Sequence, residues 1–566
     1  MTTPSSSSLA VVARVQAALS APGTPFHAVE TPRGRRYVNG PAVLRDFLES
    51  TRAHGDRPFL VLDDSSHTFA SHYAAAAALA HRCLAEYGLR PGDRVAIAMR
   101  NLLEWQVAFW ATQLAGLIAV PLNAWWEAEE LAHALDDCRP GLLVTDPERA
   151  ERVAPWLAAQ PERPWLLTVG VPGPATGERV ERFEELPPPA DGVSAPEVAI
   201  SPEDDATIMY TSGTTGRPKG VVATQSAWCA ATVGPRFFAA TSALTAGRDL
   251  ARIQPQTVLL TFPFFHVAAF TTLFPLMSNG GTAVLMRKWD PATALELITR
   301  HRVTTYSGVP ATALGLLDAA DATEHRLPGL AMINTGGAAA PPDLARRIRR
   351  RFDGRVEARN GYGLTETCGG VIANVGARYL EHPDSIGRPC PALAVRIADG
   401  AGQALPDGEV GELWLRGQAV FRGYWNQPEA TAAAFTEDWF HTGDLACVRD
   451  GEIYVVDRLK DLVIRGGENV YCVEVEGVLH DHPAVADVAV LGLPHPLLGE
   501  EVAAVVRLRP GATADATELR AHVGARLAAF KVPAHVFFRI EPLPRNPTGK
   551  IIKRTLRAEL GGGPVS

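Results

Sequence analysis

Between about Arg57 and Gly363 one pattern recurs: a short β-rich apolar run, then a longer stretch with helical periodicity. RPFLVL precedes SHYAAAAALAHRCLAEYG, DRVAIAM precedes LLEWQVAFWATQLA, and GLLVTD precedes PERAERVAPWLAA. TVLLTF, GTAVLM and AMINTGG repeat it further on. Strands that alternate with helices predict an α/β fold of layered, largely parallel sheets, because each crossover helix returns over a sheet face. From Ser385 to Asp457 the spacing tightens to strands and glycine turns, as in LAVRIADG, GEVGELWLRG and GEIYVVD, which predicts a smaller β unit. After Lys460, strands (ADVAVLGLP, EEVAAVVRLRP, VFFRI) mix with helices (EVEGVLHDH, ATELRAHVGARL), as in a separate α+β domain. The expected organisation is an N-terminal extension over 1–40, a large domain over 41–457 whose last part, about 385–457, is β-rich, and a C-terminal domain over 458–566.

A chain of 566 residues exceeds what one hydrophobic core usually supports, so two or more domains are expected. With 54 Lys and Arg against 62 Asp and Glu the formal charge is −8, and no global basic field exists to draw nucleic acid or an acidic membrane surface. Any anion must be bound locally. Seven cysteines, widely spaced and without a CxxC pair, fit a reducing compartment without structural zinc. The N-terminus has no cationic segment ahead of its short apolar stretch, and the most apolar segment, Val107 to Leu122, is broken by Gln113. A cytoplasmic chain with no transmembrane segment is the expectation.

Residues 210–220 read YTSGTTGRPKG and follow the apolar run Ala206 to Met209. Hydroxyls of Thr211, Ser212, Thr214 and Thr215, exposed backbone at Gly213 and Gly216, and the cation Lys219 suit phosphoryl oxygens. A Walker loop is excluded, since it needs GxxxxGK followed by Ser or Thr, whereas the fifth residue after Gly213 is Pro218 and Gly220 follows Lys219. Pro218 also disfavours helical geometry at Arg217, so no helix begins under the phosphates. This loop has to close over its anion by itself. GTTG alone reads equally well as a surface turn; the eleven residues together are far more specific.

The stretch is very similar to the phosphate-loop signature of the adenylate-forming superfamily, which includes acyl- and aryl-CoA synthetases, adenylation domains of non-ribosomal peptide synthetases and firefly-type luciferases. The resemblance continues in order through TFPFFHV, NTGGAAAPP, NGYGLTET, HTGDL, DRLKDLVIRGGENVYCVEVE, FKVP and PRNPTGKI, from about residue 40 nearly to the C-terminus. It implies an acyl-CoA synthetase that uses ATP, Mg²⁺ and coenzyme A, forms an acyl-adenylate with release of pyrophosphate, and then transfers the acyl group to sulfur with release of AMP.

By the same resemblance, Thr365 donates to the α-phosphate and Glu366 is the Mg²⁺ ligand, hard oxygen being what that ion prefers. Tyr362 lies against the adenine, with Gly337 and Ala338 among the nucleotide contacts. Asp444 accepts from the ribose hydroxyls and Arg458 assists at the ribose or phosphate. Lys550 reaches from the C-terminal domain to the carboxylate and the bridging oxygen. That domain then rotates about Lys460 to admit the thiol, and Gly466 and Gly467 line the pantetheine channel. Each residue taken singly has a plainer account. Tyr362 could be a half-buried tyrosine, Glu366 a solvated charge, and Asp444 and Arg458 members of surface ion pairs worth at most about 1 kcal/mol. Lys550 could be a solubilising lysine beside Lys553, Arg554 and Arg557, and the two glycines a tight turn. Cys472 departs from the family, which frequently has proline there.

Amino-acid-activating relatives carry an aspartate near the start of the segment that here reads PFFHVAAF. No carboxylate stands in this stretch, so a substrate ammonium would lack a partner. His266 either gates the pocket or flanks the carboxylate, or is a core histidine hydrogen-bonded to backbone. Pocket walls by family position are Val309, Gly336, Gly337, Gly361, Gly363 and Val371, small or aliphatic and without a cation. They suit an apolar monocarboxylic acid, a medium- or long-chain fatty acid first and aryl or alicyclic acids next. The partners implied are that acid and CoA, with homodimerisation left open; transfer to an amine or a carrier-protein thiol is the alternative.

Overall fold

The computed structural model describes residues 6–170, 177–211, 218–545 and 551–561. The chain divides into two compact units. Met1–Pro383, Gly387–Ala394 and Arg416–Phe440 form the first; Asp384–Ile386, Val395–Leu415 and His441–Ser566 form the second. The expected boundary at 457/458 thus falls inside the second unit, and the β-rich segment is shared between both. Residues 6–40 belong to the first unit, as a helix Ser6–Leu19 and a hairpin of Ala28–Thr31 with Gly34–Tyr37. Phe26 meets Phe237 edge-on at 5.6 Å, and the Tyr37 amide donates to Gln418 Oε1 at 3.0 Å.

The first unit contains two large sheets among the described residues. One has eight strands, in the order Gly423–Tyr424, Lys219–Thr224, Asp205–Thr211, Ile118–Pro121, Arg94–Ala98, Leu142–Thr145, Trp165–Thr168 and Val180–Arg182. The other has nine, in the order Arg388–Pro389, Gly369–Val375, Glu357–Leu364, Met332–Gly336, Thr305–Gly308, Thr257–Leu260, Thr282–Leu285, Pro58–Leu62 and Ser65–Thr68. Six consecutive strands of the nine, Glu357–Leu364 to Pro58–Leu62, run parallel, as strand-helix alternation requires. Ile118–Pro121 and Leu142–Thr145 are buried along their whole length, which is why they read as nearly continuous apolar runs; Thr305–Gly308 is equally buried although its sequence is TYSG.

One core cluster joins residues of both sheets, such as Val95 and Val144 from the first and Phe59 and Leu260 from the second, to the helix Leu103–Leu114. Every residue of that helix except Glu104 is buried, because a helix apolar on all sides needs cover on all sides. Phe109 packs on Phe270 at 4.8 Å and Trp228 on Phe270 at 4.9 Å. Gln113 is fully buried with its amide paired: Nε2 donates to the Ala206 carbonyl at 3.1 Å and Oε1 accepts from Gln225 Nε2 at 2.9 Å. No described helix is long and apolar enough to cross a membrane. All seven cysteines are free and buried.

The second unit holds a five-stranded sheet in which Val485–His495 and Gly499–Leu508 form a long antiparallel hairpin and His535–Phe538 pairs parallel to Gly499–Leu508. The helices Cys472–His480 and Ala516–Gly524 bury Val475, Leu479, Leu519 and Val523 against it. Its other β element pairs Asp444 with Arg458 and Leu445 with Asp457.

Candidate active site

The strands Asp205–Thr211 and Lys219–Thr224 pair antiparallel, with Thr211 opposite Lys219. The glycine-rich loop is therefore followed by a strand and not by a helix, in keeping with Pro218. Ser212, Gly213, Thr214, Thr215 and Gly216 lie outside the described residues; Thr211 and Lys219, at the two stems, are half-buried. Both stems are tied down. The Tyr210 hydroxyl donates to Asp137 Oδ2 at 2.7 Å, and the Trp425 amide donates to the Gly220 carbonyl at 2.7 Å.

The parallel strands of the nine-stranded sheet bring most remaining candidates of the first unit to their carboxyl ends, where open α/β sheets bind ligands. Val309 directly follows Thr305–Gly308; Gly336 ends its strand, with Gly337 and Ala338 next; Gly361, Tyr362 and Gly363 lie in Glu357–Leu364, with Thr365 and Glu366 in the turn beyond. Gly336 pairs with Gly361, and Tyr362 with Ile372. A methyl group at Gly337 would lie 3.8 Å from Phe262 and 3.9 Å from Val309, so these three are close neighbours. Gly337 itself has φ +75, a conformation that favours glycine. Val371 is buried within the neighbouring strand Gly369–Val375.

At Gly363 the neighbouring backbone itself requires glycine. A Cβ there would stand 1.8 Å from the Gly369 carbonyl oxygen and 2.8 Å from Gly370 Cα, at the irregular register between Glu357–Leu364 and Gly369–Val375. His266 is the N-cap of the helix Val267–Asn279: its Nδ1 accepts from the Ala268 amide at 3.2 Å. The surrounding protein desolvates the imidazole and lowers its pKa to about 4, so it is neutral at physiological pH.

Glu366 and Lys219 converge on a residue that the motifs did not single out. The Tyr424 hydroxyl donates to Glu366 Oε1 at 3.1 Å, and Lys219 Nζ lies 5.1 Å from the Tyr424 ring centroid. Tyr424 sits in FRGYWN, where an aromatic pair among turn residues signals a short strand; its partners lie far away in sequence, and only strand pairing discloses them.

In the second unit, Asp444 is 3% exposed and Arg458 Nε lies 3.1 Å from its Oδ1. This pair is buried on its acidic side, unlike the surface pair that isolated residues suggest. The turn before it is held by Thr442, whose Oγ1 accepts from the Asp444 amide at 3.1 Å. Lys460 is exposed, in a turn closed by amides of Asp461 and Leu462 on the Arg458 carbonyl. Gly466 and Gly467 have φ +61 and +87 at the tip between Val463–Arg465 and Glu468–Val470; a two-residue hairpin turn with both φ positive accounts for both glycines. Lys550 lies outside the described residues.

Asp457, just before that turn, is 2% exposed and accepts from the amides of Arg458, at 2.7 Å, and of Cys472. Burial raises its pKa to about 6, against the pull of Lys553. The native state therefore keeps a proton that the unfolded chain loses near pH 4. Stability is expected to fall by about 3 kcal/mol as pH rises from about 4 to 6 through this group. Denaturant titrations across that window should show the slope in the wild type and its loss in D457N; the same slope in both would remove Asp457 as its source.

Comparison with known proteins identifies the family. Residues 47–425 match the family model described as AMP-binding enzyme, and residues 474–550 match that of the AMP-binding enzyme C-terminal domain. The chain is 38% identical over 476 residues to a feruloyl-CoA synthase of an Amycolatopsis species, covering 84% of this chain and 90% of the relative. It is 35% identical over 498 residues to the long-chain-fatty-acid–CoA ligase FadD13 of Mycobacterium tuberculosis, covering 86% and 92%. Its fold is similar to that of the amide bond synthetase McbA from Marinactinospora thermotolerans, with a TM-score of 0.79, 30% identity, and 92% and 100% of the two chains covered. With both family models matched, and the first alone spanning well over half of the sequence, the chain belongs to the AMP-binding enzymes of the adenylate-forming superfamily.

Proposed function

We propose that this chain is an ATP-dependent carboxylic acid–CoA ligase whose substrate is an apolar monocarboxylic acid of the fatty or aryl class. A carboxylate oxygen attacks the α-phosphorus, the bond to the bridging oxygen breaks, and pyrophosphate leaves. The thiol of CoA then attacks the acyl carbonyl, its proton passes to solvent, and AMP leaves. The observation that carries this proposal is the convergence of Lys219 and Glu366 on Tyr424, in the unit whose parallel strands end at Val309, Gly337 and Thr365. A cation beside a carboxylate suits a nucleotide bound with its metal.

Among the described residues no cluster of three or more His, Cys, Asp or Glu side chains is able to hold a metal. Half-buried Glu366 offers one oriented carboxylate, which fits Mg²⁺, an ion that takes one or two carboxylates and completes its shell with phosphates and water. When bound, Mg²⁺ supplies charge neutralisation on the phosphates. Thr365 and Lys219 would hold the triphosphate, Asp444 and Arg458 the ribose, and Lys550 the reacting carboxylate, to be withdrawn about Lys460 before the thiol enters.

Support for an apolar acid comes from the wall formed by Phe262, Val309 and Gly337 and from His266. Uncharged at neutral pH, that imidazole offers no positive charge to a second carboxylate. The named relatives act on an aryl acid in one case and long-chain fatty acids in the other. The likeness to an amide bond synthetase favours a second outcome, transfer of the same acyl group to an amine. Acid-dependent exchange of labelled pyrophosphate into ATP across a panel of fatty, aryl and dicarboxylic acids is the test. Exchange should be confined to monocarboxylic acids, with thioester formed when CoA is added. Amide formed from added amines in place of thioester would select the second outcome, and no exchange with any acid would refute both.

A further inference from the structure

We propose that Tyr424 is a positioning residue for the adenylation half-reaction, holding the Glu366 carboxylate in the orientation that receives the metal-nucleotide and supporting the Lys219 side chain above its ring. This inference rests on the ligase proposal and adds a residue to it. Three observations carry it. The phenol donates to Glu366 Oε1 at 3.1 Å, and the Glu366 carbonyl accepts from the Phe421 amide at 2.8 Å. Both the side chain and the backbone of Glu366 are therefore gripped by the one segment 421–424. Second, Gly423–Tyr424 is the edge strand on Lys219–Thr224, with Tyr424 opposite Val221. That register sets the ring beneath Lys219, whose Nζ lies 5.1 Å from the centroid, within the range of a cation–π contact.

Third, the ring has little freedom of its own. Phe421 packs against Tyr424 at 5.0 Å and in turn against Phe435 and Phe440, at 5.2 and 5.1 Å. The Tyr424 amide donates to Thr431 Oγ1 at 2.8 Å. A donor fixed by packing orients a carboxylate better than water does, because no reorganisation is needed when the ligand arrives.

Y424F keeps the ring under Lys219 and removes only the hydroxyl. Calorimetric binding of α,β-methylene-ATP, with and without Mg²⁺, reads its role apart from turnover. Y424F is expected to weaken binding of the Mg²⁺ complex about tenfold, as loss of a hydrogen bond to a charged group does, and to leave metal-free nucleotide within about twofold. In the E366A background the same change should add less than about twofold, since the carboxylate that the hydroxyl orients is already gone. Equal weakening of both nucleotide forms, wild-type affinity for the Mg²⁺ complex, or additive losses in the double variant would each overturn the assignment, and the double variant decides even if Y424F melts early. A wild-type protein that binds nucleotide in neither form and exchanges no pyrophosphate would instead refute the ligase proposal beneath it.

Discussion

Replacing Lys550 with alanine is expected to slow acid-dependent adenylate formation by about 10²- to 10³-fold, the usual cost of removing one group that stabilises charge in the transition state. Thioester formation from supplied acyl-adenylate and CoA should stay within about threefold of wild type, because the role proposed for the ammonium ends once pyrophosphate has left. A compact cation on a long stem suits a contact made and then withdrawn within one turnover. Lys553, three residues on, provides the contrast. Its Nζ lies 2.8 Å from Glu476 Oε1, with both side chains mostly buried. Burial is the largest single influence and works against its charge, yet Glu476 together with Cys472, Asp461 and Asp457 outweighs it and raises the pKa. K553A should therefore lower stability and affect both half-reactions alike, as loss of one partner of a buried pair does. Rapid-quench measurement of the two half-reactions separates the cases, and equal loss of both in K550A would contradict the role assigned to Lys550.

The second large effect is structural. Gly363→Ala is expected to destabilise the protein by about 3 kcal/mol or more, since overpacking against backbone leaves no side chain to move aside. The added methyl would overlap the Gly369 carbonyl at 1.8 Å, forcing Glu357–Leu364 away from Gly369–Val375 and displacing Thr365 and Glu366 at the strand's end. Gly361→Ala is the control. Its Cβ would meet nothing nearer than the Thr335 carbonyl, at 3.9 Å, an ordinary contact, so stability should change by less than about 1 kcal/mol. Equal denaturation midpoints for the two variants would show that the strands at Gly363 tolerate the methyl group.

The alternation between Arg57 and Gly363 was sufficient to read layered, mainly parallel sheets, and the strands at Thr257–Leu260, Thr282–Leu285 and Met332–Gly336 stand where TVLLTF, GTAVLM and AMINTGG predict them. Pro218 sufficed to exclude a helix after the glycine-rich loop. These features are local: periodicity, turn residues and a fixed proline φ act within a few residues. The first forty residues gave no such signal, and their helix and hairpin belong to the first unit through contacts such as Phe26 on Phe237 and Tyr37 on Gln418.

The motifs, read in order, were enough to name a superfamily and to nominate Thr365, Glu366, Asp444, Arg458 and Lys550. They left Tyr424 out, because Glu366 and Lys219 lie 58 and 205 positions from it and meet it only when an edge strand pairs with Lys219–Thr224. They did not disclose the close backbone that requires glycine at 363. The sequence by itself determined which elements form and which chemical groups are at hand. Only the tertiary structure decided which of those groups touch and which positions must stay bare, because strand register and close packing are set by long-range contacts that no local window contains.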